Sequence, residues 1–480
     1  MGRHRYACVC YLRQTFTVNM KLRDKRVLVL GLGESGLAMS RWCVRHGARA
    51  RVADTRAEPP FRAALMDAAR DVEFISGEFQ MSLLKGIDLL ALSPGLPASL
   101  PVVIEARQRG IPVTGEIELF AQGLRTLGMR DRAKIIAITG TNGKTTTTAL
   151  TGHLCRAGGK TTEVAGNISP AALDALMACQ DAGRTPDVWV LELSSFQLET
   201  MESLNADAAT VLNVSDDHLD RYAGLDDYAA AKARIFYGEG VQVLNRQDHR
   251  VMDMALPGRR TISFGLDVPT GANDFGLREK SGAPWIARGD SLLLPLAELP
   301  MAGLHNAANA MAALALCEAI GLQAKSLLTA LRNFKGLPHR VECIAEIDGV
   351  VWYDDSKGTN VGATVAALEG LQRKVVLIAG GDGKGQNFTP LKSACDRHAR
   401  AVVLIGRDGP QIRAALEGIA TPLLAAATLE QAVRIAAEQA RAGDAVLLSP
   451  ACASYDMFRN FEHRAEVFVA AVRALAERAA

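Results

Sequence analysis

The sequence predicts an α/β protein of three domains, each built on an open, mostly parallel sheet. Three observations predict it. At 480 residues the chain is long enough for several domains, at about 100–200 residues each. Short apolar runs alternate with helical stretches along its length, the pattern of βαβ units. Many glycines sit just after those runs, where strands of open α/β sheets turn toward ligands.

Composition narrows the class further. The hydrophobic share is 49% and the charged share 22%, which excludes a largely disordered chain. Fifty-four basic against 52 acidic residues leave a formal charge of +2, and aromatic residues make up 5%. Neither favours nucleic acid or an anionic membrane surface. Nine cysteines without a CxxC pair read as free thiols in a reducing compartment. No run of 18 apolar residues occurs, so no integral membrane contact is expected. Residues 1–20, with Arg3, Arg5 and Arg13, lack the apolar segment and cleavage site of a signal peptide. They read as a flexible N-terminal extension with an alternative start at Met20, and the protein is expected to be cytoplasmic.

The first domain is placed at 21–130. A strand over 27–30 enters Gly31-Leu32-Gly33-Glu34-Ser35-Gly36, a helical stretch runs through Arg45, and a strand over 50–53 ends at Asp54. This strand, glycine turn, helix and acidic strand end form the GxGxxG fingerprint of a Rossmann-like domain. On its own it asks for a negatively charged or ribose-bearing group at the helix start, or only for a tight turn. A strand over 88–92 ends in Ser93-Pro94-Gly95, a second glycine loop at the same edge.

The second domain is placed at 131–337. A buried-type strand over 134–138 runs into Thr139-Gly140-Thr141-Asn142-Gly143-Lys144-Thr145-Thr146 and then a helix. This is the context of a P-loop ATPase, although Ile138 departs from the strict GxxxxGK[ST] spacing. Backbone N–H groups at a helix start cradle phosphate oxygens, Lys144 neutralises the terminal phosphates, and Thr145 offers a hydroxyl to Mg²⁺. A strand over 188–191 ends at Glu192, a position suited to a metal ligand. A strand over 208–212 leads to Asp216-Asp217-His218; His218 is either a cap in an acidic loop or a site residue. Lys232, in a helical stretch over 228–237, reads on its residues alone as a solvated lysine. Asn306 and Asn309 share a face at a helix start and either contact a nucleobase or cap the helix. Residues 258–299 read as short strands with turns, and 267–281 as the loosest part of the chain.

The third domain is placed at 338–480. Strands over 375–379, 401–405 and 445–448 alternate with helices such as 428–440, giving a second Rossmann-like domain. Polar loops follow its strands at 354–360, 380–385 and 449–454. Three such domains with one phosphate loop point to an ATP-dependent enzyme with a second substrate.

Five motifs in order then carry a resemblance to the Mur ligase family. They are the phosphate loop, Leu191-Glu192-Leu193-Ser194-Ser195-Phe196-Gln197-Leu198-Glu199, Gly336-Leu337-Pro338-His339-Arg340, Asp355-Ser356-Lys357, and Leu448-Ser449-Pro450-Ala451-Cys452-Ala453-Ser454. The resemblance spans nearly the whole chain from Lys21. It is to the branch that joins glutamate to UDP-N-acetylmuramoyl-L-alanine, and it implies ATP and two Mg²⁺ ions as cofactors.

The roles that follow are what the resemblance implies. Gly140, Thr141, Asn142, Gly143, Lys144, Thr145 and Thr146 would hold the ATP phosphates. Asn306, Asn309 and Arg340 would contact adenine, ribose and phosphate, with Asp355 and Lys357 beside them. Thr145, Glu192, His218 and Lys232 would hold metal, Lys232 as a carbamate formed with CO₂, and Asn167 would touch substrate or the reacting phosphate. Ser35, Gly36, Asp54, Thr55, Arg56, Ser93 and Gly95 would bind the UDP portion, and Lys384, Ser454 and Phe461 the glutamate. Glu34 stands where the family carries an apolar residue against uracil. The implied reaction passes through an acyl phosphate. D-glutamate is the expected amino acid. The alternatives are L-glutamate, another amino acid as in related Mur or folylpolyglutamate ligases, and a non-catalytic scaffold. A monomer is expected.

Overall fold

A computed structural model describes residues 21–69, 72–217 and 221–479. The expected N-terminal extension lies outside the described residues. Within them the chain forms three successive open sheets, a three-domain α/β architecture.

The first sheet holds β1 (Arg26–Leu30), β2 (Arg49–Asp54), β3 (Glu73–Ser76), β4 (Leu89–Leu92) and β5 (Val113–Thr114) in the order β3-β2-β1-β4-β5, all parallel. The second holds β6 (Lys134–Thr139), β7 (Thr162–Gly166), β8 (Val188–Glu192), β9 (Ala208–Val211), β10 (Val241–Asn245), β11 (Thr261–Phe264), β12 (Phe275–Lys280), β13 (Ala283–Arg288) and β14 (Ser291–Pro295). Its order is β14-β13-β12-β11-β10-β9-β6-β8-β7, antiparallel only at β12-β13-β14. The third holds β15 (Glu342–Ile347), β16 (Val350–Asp354), β17 (Val375–Gly380), β18 (Ala399–Ile405), β19 (Leu423–Ala425) and β20 (Ala445–Leu448) in the order β15-β16-β20-β17-β18-β19, antiparallel only at β15-β16.

This topology fixes where ligands can sit. The order reverses at β1, at β6, and between β20 and β17. A crevice opens at the carboxyl end of a sheet where successive crossovers leave to opposite sides. The glycine turn after β1, the loop after β6, and the two loops after β17 and β20 occupy those three places.

Two domains share a core. The helix Glu116–Thr126 of the first packs on the helix Ala172–Asp181 of the second, with Phe120 edge-on to Trp189 at 5.0 Å. Trp42, Leu119, Phe120 and Leu124 lie in one buried cluster with Leu173, Leu176, Trp189 and Leu198. Gly115 must be glycine here, because a Cβ would lie 2.0 Å from Thr200 Oγ1. The third domain meets the second through the helices Leu304–Ala319 and Val361–Gly370.

The structure corrects two expectations. Residues 267–281 are not uniformly loose: Phe275–Lys280 is a strand paired along its length with Ala283–Arg288. The helix carrying Lys232 is Leu225–Ala233 and ends in a 3₁₀ turn, Arg234–Phe236.

Candidate active site

The loop after β6 is shaped by two glycines. Gly140 has φ +156 and Gly143 has φ +82, the second a left-handed value that favours glycine. A Cβ on Gly143 would also lie 2.4 Å from Asn309 Oδ1. The helix Lys144–Ala157 begins there, its N-terminus facing the loop. Asn213 brackets the loop from β9: its Oδ1 accepts from Asn142 N at 2.8 Å and its Nδ2 donates to Asn142 O at 3.1 Å.

Two ammonium groups converge on one carbonyl. Lys144 Nζ donates to Gly140 O at 2.9 Å and Thr141 O at 2.8 Å. Lys232 Nζ donates to the same Gly140 O at 2.9 Å and stands 4.3 Å from the centre of the Tyr228 ring. Lys232 is 1% exposed, so the solvated reading of that lysine is wrong. Its helix turns Tyr228 and Lys232 to the loop, the Thr141 hydroxyl donating to Tyr228 Oη at 3.5 Å. Burial, then the Lys144 charge, pushes the Lys232 amine well below the ordinary lysine range, while Asp217 opposes this. Burial also lowers Lys144, against Glu192 and Asp217.

Glu192 closes the other side. It is 2% exposed. Its Oε1 accepts from Asn167 Nδ2 at 2.8 Å, and its Oε2 is buried with no hydrogen-bond partner among the described residues. An orphaned buried carboxylate oxygen is costly unless something cationic meets it. A carboxylate oxygen of this kind suits a hard divalent cation. His218 lies outside the described residues, so its place here is not given.

The third domain reaches the same loop. Arg340 Nη2 donates to Thr145 Oγ1 at 2.8 Å, and Asn360 Nδ2 to Asn142 Oδ1 at 3.0 Å. The Thr145 hydroxyl expected on metal is thus held by Arg340. Asp355 accepts from Ser449 Oγ at 2.7 Å, and burial pushes it up to about 7. Asn309 accepts from Thr147 Oγ1 at 3.3 Å and donates to Asn306, which donates to Ala302 O. Neither asparagine caps its helix, whose N-cap Gly303 receives no side-chain bond. Among the described residues His339, Glu342 and Asp354 could also gather around an ion, their ligand atoms lying within 4.8 Å of one another. They already bond one another, through His339 Nδ1 to Asp354 Oδ2 at 2.7 Å and His339 N to Glu342 Oε2 at 2.9 Å.

Of the residues expected to take glutamate, Phe461 stands beside Lys357, while Lys384 and Ser454 lie on two joined loops of the third domain. Lys357 Nζ lies 3.7 Å from the centre of the Phe461 ring. The loop of Lys384 is tied to that of Ser454 by paired backbone bonds between Asp382 and Ala453. Burial, then Arg340, lowers the Lys357 amine, with Glu192 and Lys144 among the charges it feels. Lys357 therefore lies in the electrostatic field of the loop after β6. Arg464 is fully buried and donates to Ser356 Oγ, Ser356 O and Cys452 O.

In the first domain Asp54 is 2% exposed. It accepts from Leu32 N at 2.7 Å and from Arg56 N, Nε and Nη2 at 2.8–2.9 Å. Arg56 holds its carboxyl down at about 2. Asp54 thus braces the glycine turn, and Arg56 is fixed beside it. Gly36 admits no side chain, since a Cβ would lie 1.9 Å from Gly31 O. Ser93 is buried after β4, with Gly95 exposed two residues on, while Thr55 is exposed and Ser35 half-buried. Glu34 accepts from Ser169 Oγ of the second domain at 2.6 Å.

Sequence reasoning assigned no role to Asn213, Asp217, Tyr228, Asn360 or Arg464. Asn213 and Asp217 stand in a polar run after a strand, a signal that could have marked them.

Family comparisons agree along the chain. The description "Mur ligase MurD-like, N-terminal domain" matches residues 25–115, "Mur ligase middle domain" 138–317, and "Mur ligase, glutamate ligase domain" 339–452. The chain is 62% identical over 459 residues to the UDP-N-acetylmuramoylalanine--D-glutamate ligase of Aromatoleum aromaticum, covering 95% of this chain and 98% of that one. It is 56% identical over 458 residues to the ligase of the same name from Nitrosospira multiformis, covering 95% and 97%. In fold it resembles the MurF ligase from Thermotoga maritima in complex with ADP, with a TM-score of 0.59 at 17% identity over 98% of this chain and 99% of that one. It also resembles the UDP-N-acetylmuramate-alanine ligase from Thermotoga maritima, with a TM-score of 0.55 at 20% identity over 94% and 100%. The chain belongs to the Mur ligase family, with the N-terminal domain of the MurD-like kind.

Proposed function

We propose that this chain forms the amide bond between UDP-N-acetylmuramoyl-L-alanine and D-glutamate at the expense of ATP, a cytoplasmic step of peptidoglycan precursor synthesis. The observation that carries the reading is the convergence of Lys144, Lys232 and the unpartnered Glu192 oxygen on one loop, with Lys357 of the third domain in the same field. The curated relatives, matched along almost their whole length, bear the name of this activity.

In this reading the three domains have distinct tasks. Residues 21–130 form a Rossmann-like domain for the UDP portion, 131–337 a P-loop ATPase domain, and 338–480 a Rossmann-like domain for glutamate, acting as a monomer. Asp54 and Arg56 hold the glycine turn at the nucleotide end. The loop amides of 140–146 and Lys144 cradle the ATP phosphates. Asn306, Asn309, Asp355 and Arg340 complete the ATP site from two domains.

The carboxylate of the L-alanine attacks the γ-phosphorus of ATP, which gives an acyl phosphate and ADP. Both partners are anionic, so Lys144 and Arg340 must offset charge as they approach. Glu192, Thr145, His218 and a carbamylated Lys232 would hold two Mg²⁺ ions, which when bound neutralise phosphate charge and orient the transferred group. Thr145 would exchange its Arg340 bond for that role. Lys357 and Lys384 draw the carboxylates of glutamate, with Ser454 and Phe461 shaping the pocket. The free amine of glutamate attacks the acyl carbon, and phosphate leaves. Closure of the third domain on the second shields the acyl phosphate from water.

The test is phosphate release from ATP and Mg²⁺ with UDP-N-acetylmuramoyl-L-alanine, D- and L-glutamate being supplied in parallel. Release that requires the nucleotide and D-glutamate, with a product one glutamate residue heavier, is expected. Release with L-glutamate alone would transfer the reading to the other enantiomer. Silence with both would overturn it.

A further inference from the structure

Arg221 opens the segment after the acidic loop of the second domain, yet it acts on the first. Its Nη1 donates to Pro94 O at 2.8 Å and its Nη2 to Leu96 O at 2.9 Å. Nη2 also meets Glu199 Oε2 at 3.0 Å, and Glu199 Oε1 accepts from Tyr222 at 2.7 Å. The guanidinium carbon lies over the Phe196 ring, 4.0 Å from its centre. Its side chain is 12% exposed and that of Glu199 18%. Phe196 and Glu199 both come from the segment that follows Glu192.

Those two carbonyls flank Gly95. The peptide between Pro94 and Gly95 is trans, so its N–H points opposite to its C=O. Pinning the Pro94 carbonyl on Arg221 therefore aims the Gly95 N–H away from Arg221. That N–H has no hydrogen-bond partner among the described residues, and Gly95 is exposed with open space at its Cβ position. Leu96 is followed by Pro97, which has no N–H to present. The loop thus offers one aimed donor, held in place from the neighbouring domain.

We propose that Arg221 is a positioning residue for the nucleotide substrate, aiming the Gly95 N–H at an anionic or hydroxyl oxygen of that substrate. The proposal rests on the reading that the Ser93 and Gly95 loop faces the UDP portion. A planar fork that spans two carbonyls and a carboxylate is a task for arginine, which lysine cannot copy. The same contacts hold the loop of the first domain to the strand end that carries Glu192.

The experiment measures KM for each substrate in the wild type, Arg221→Lys, Arg221→Ala and Glu199→Gln, with nucleotide-substrate affinity read independently by calorimetry. Arg221→Lys should weaken binding of UDP-N-acetylmuramoyl-L-alanine about tenfold, the loss of roughly one well-placed hydrogen bond. KM for ATP and for D-glutamate should stay within about twofold. Added guanidinium should restore part of the loss in Arg221→Ala, and Glu199→Gln should move the same KM by less. Should Arg221→Ala fail to fold, Arg221→Lys and Glu199→Gln carry the test. Unchanged nucleotide-substrate affinity in Arg221→Lys, or an equal shift in all three KM values, would overturn the proposal. A wild type inactive with either glutamate would instead overturn the ligase reading.

Discussion

Lys144 and Lys232 donate to a single acceptor, the Gly140 carbonyl, each at 2.9 Å. Two buried ammonium groups on one oxygen repel each other, and the easier of the two to discharge is Lys232, which is wholly buried beside Tyr228. A neutral amine is the form that reacts with CO₂. In the proposed carbamylation its nitrogen would bond to the carbon, the proton would leave to water, and the side chain would change from cation to anion. The repulsion between the lysines would then become attraction.

The first prediction follows from that exchange of charge. Lys232→Ala should lower turnover by about two orders of magnitude or more, as when a positioned charge is removed from a transition state. Bicarbonate should rescue this variant poorly, and a short carboxylic acid partly. Wild-type protein supplied with carbon-13 bicarbonate should show a carbamate resonance that the variant lacks. Full activity in the variant, or no such resonance, would return Lys232 to a structural role.

Lys144→Ala tests the loop itself. Lys144 Nζ donates to the Gly140 and Thr141 carbonyls, and in the proposed reading it meets the terminal phosphates of ATP. Turnover should fall by about 10²–10³ or more while calorimetry shows unchanged binding of UDP-N-acetylmuramoyl-L-alanine, held by another domain. An unchanged rate would sink the phosphate-loop assignment.

What could be read from the chain in advance was local. The glycine turn at 31–36, the loop after β6 and the strand ends at Asp54 and Glu192 each show in a short stretch, because backbone geometry demands those residue types there. Lys232 did not show. Its helix carries Asp226 and Asp227 in the first turn and has the look of a solvated one; only the approach of a loop some ninety residues earlier buries it. Arg464 was hidden for a similar reason: it sits among Glu462, Glu466 and Arg473 on the helix Phe461–Ala479, and it is bonded to Ser356 from a distant loop and to Cys452 from the segment before the helix. Strands β3, β5 and β7 are short or carry polar residues, so no continuous apolar run announced them.

Glu192→Gln separates charge from shape. The amide can still accept through one oxygen the bond that Asn167 donates to Oε1, but the unpartnered oxygen is replaced by a neutral group. The expected outcome is a loss of about 10²–10³ in turnover and a rise in the Mg²⁺ concentration needed for half-maximal rate. Glutamine at full activity with an unaltered Mg²⁺ dependence would remove Glu192 from the metal site.

Glu116 makes the boundary between the first two domains sensitive to pH. It is 2% exposed, accepts from Leu173 N at 2.8 Å and faces Gln197 Nε2 at 3.4 Å. Burial pushes its carboxyl from 4.5 up to about 7, with Asp174 adding to the rise. The folded state therefore holds a proton that the unfolded state releases above about 4.5. Stability from this group is fully present below that value and is lost as pH rises toward and through 7, by ~3 kcal/mol at most. Glu116→Gln keeps a carbonyl for Leu173 N–H and cannot ionise. Urea unfolding of the two proteins from pH 5 to pH 8 should diverge, the wild type losing roughly 1–3 kcal/mol relative to the variant as pH rises. Parallel curves across that range would mean that Glu116 meets the same electrostatic surroundings folded and unfolded, and that the boundary between the two domains holds no proton of its own.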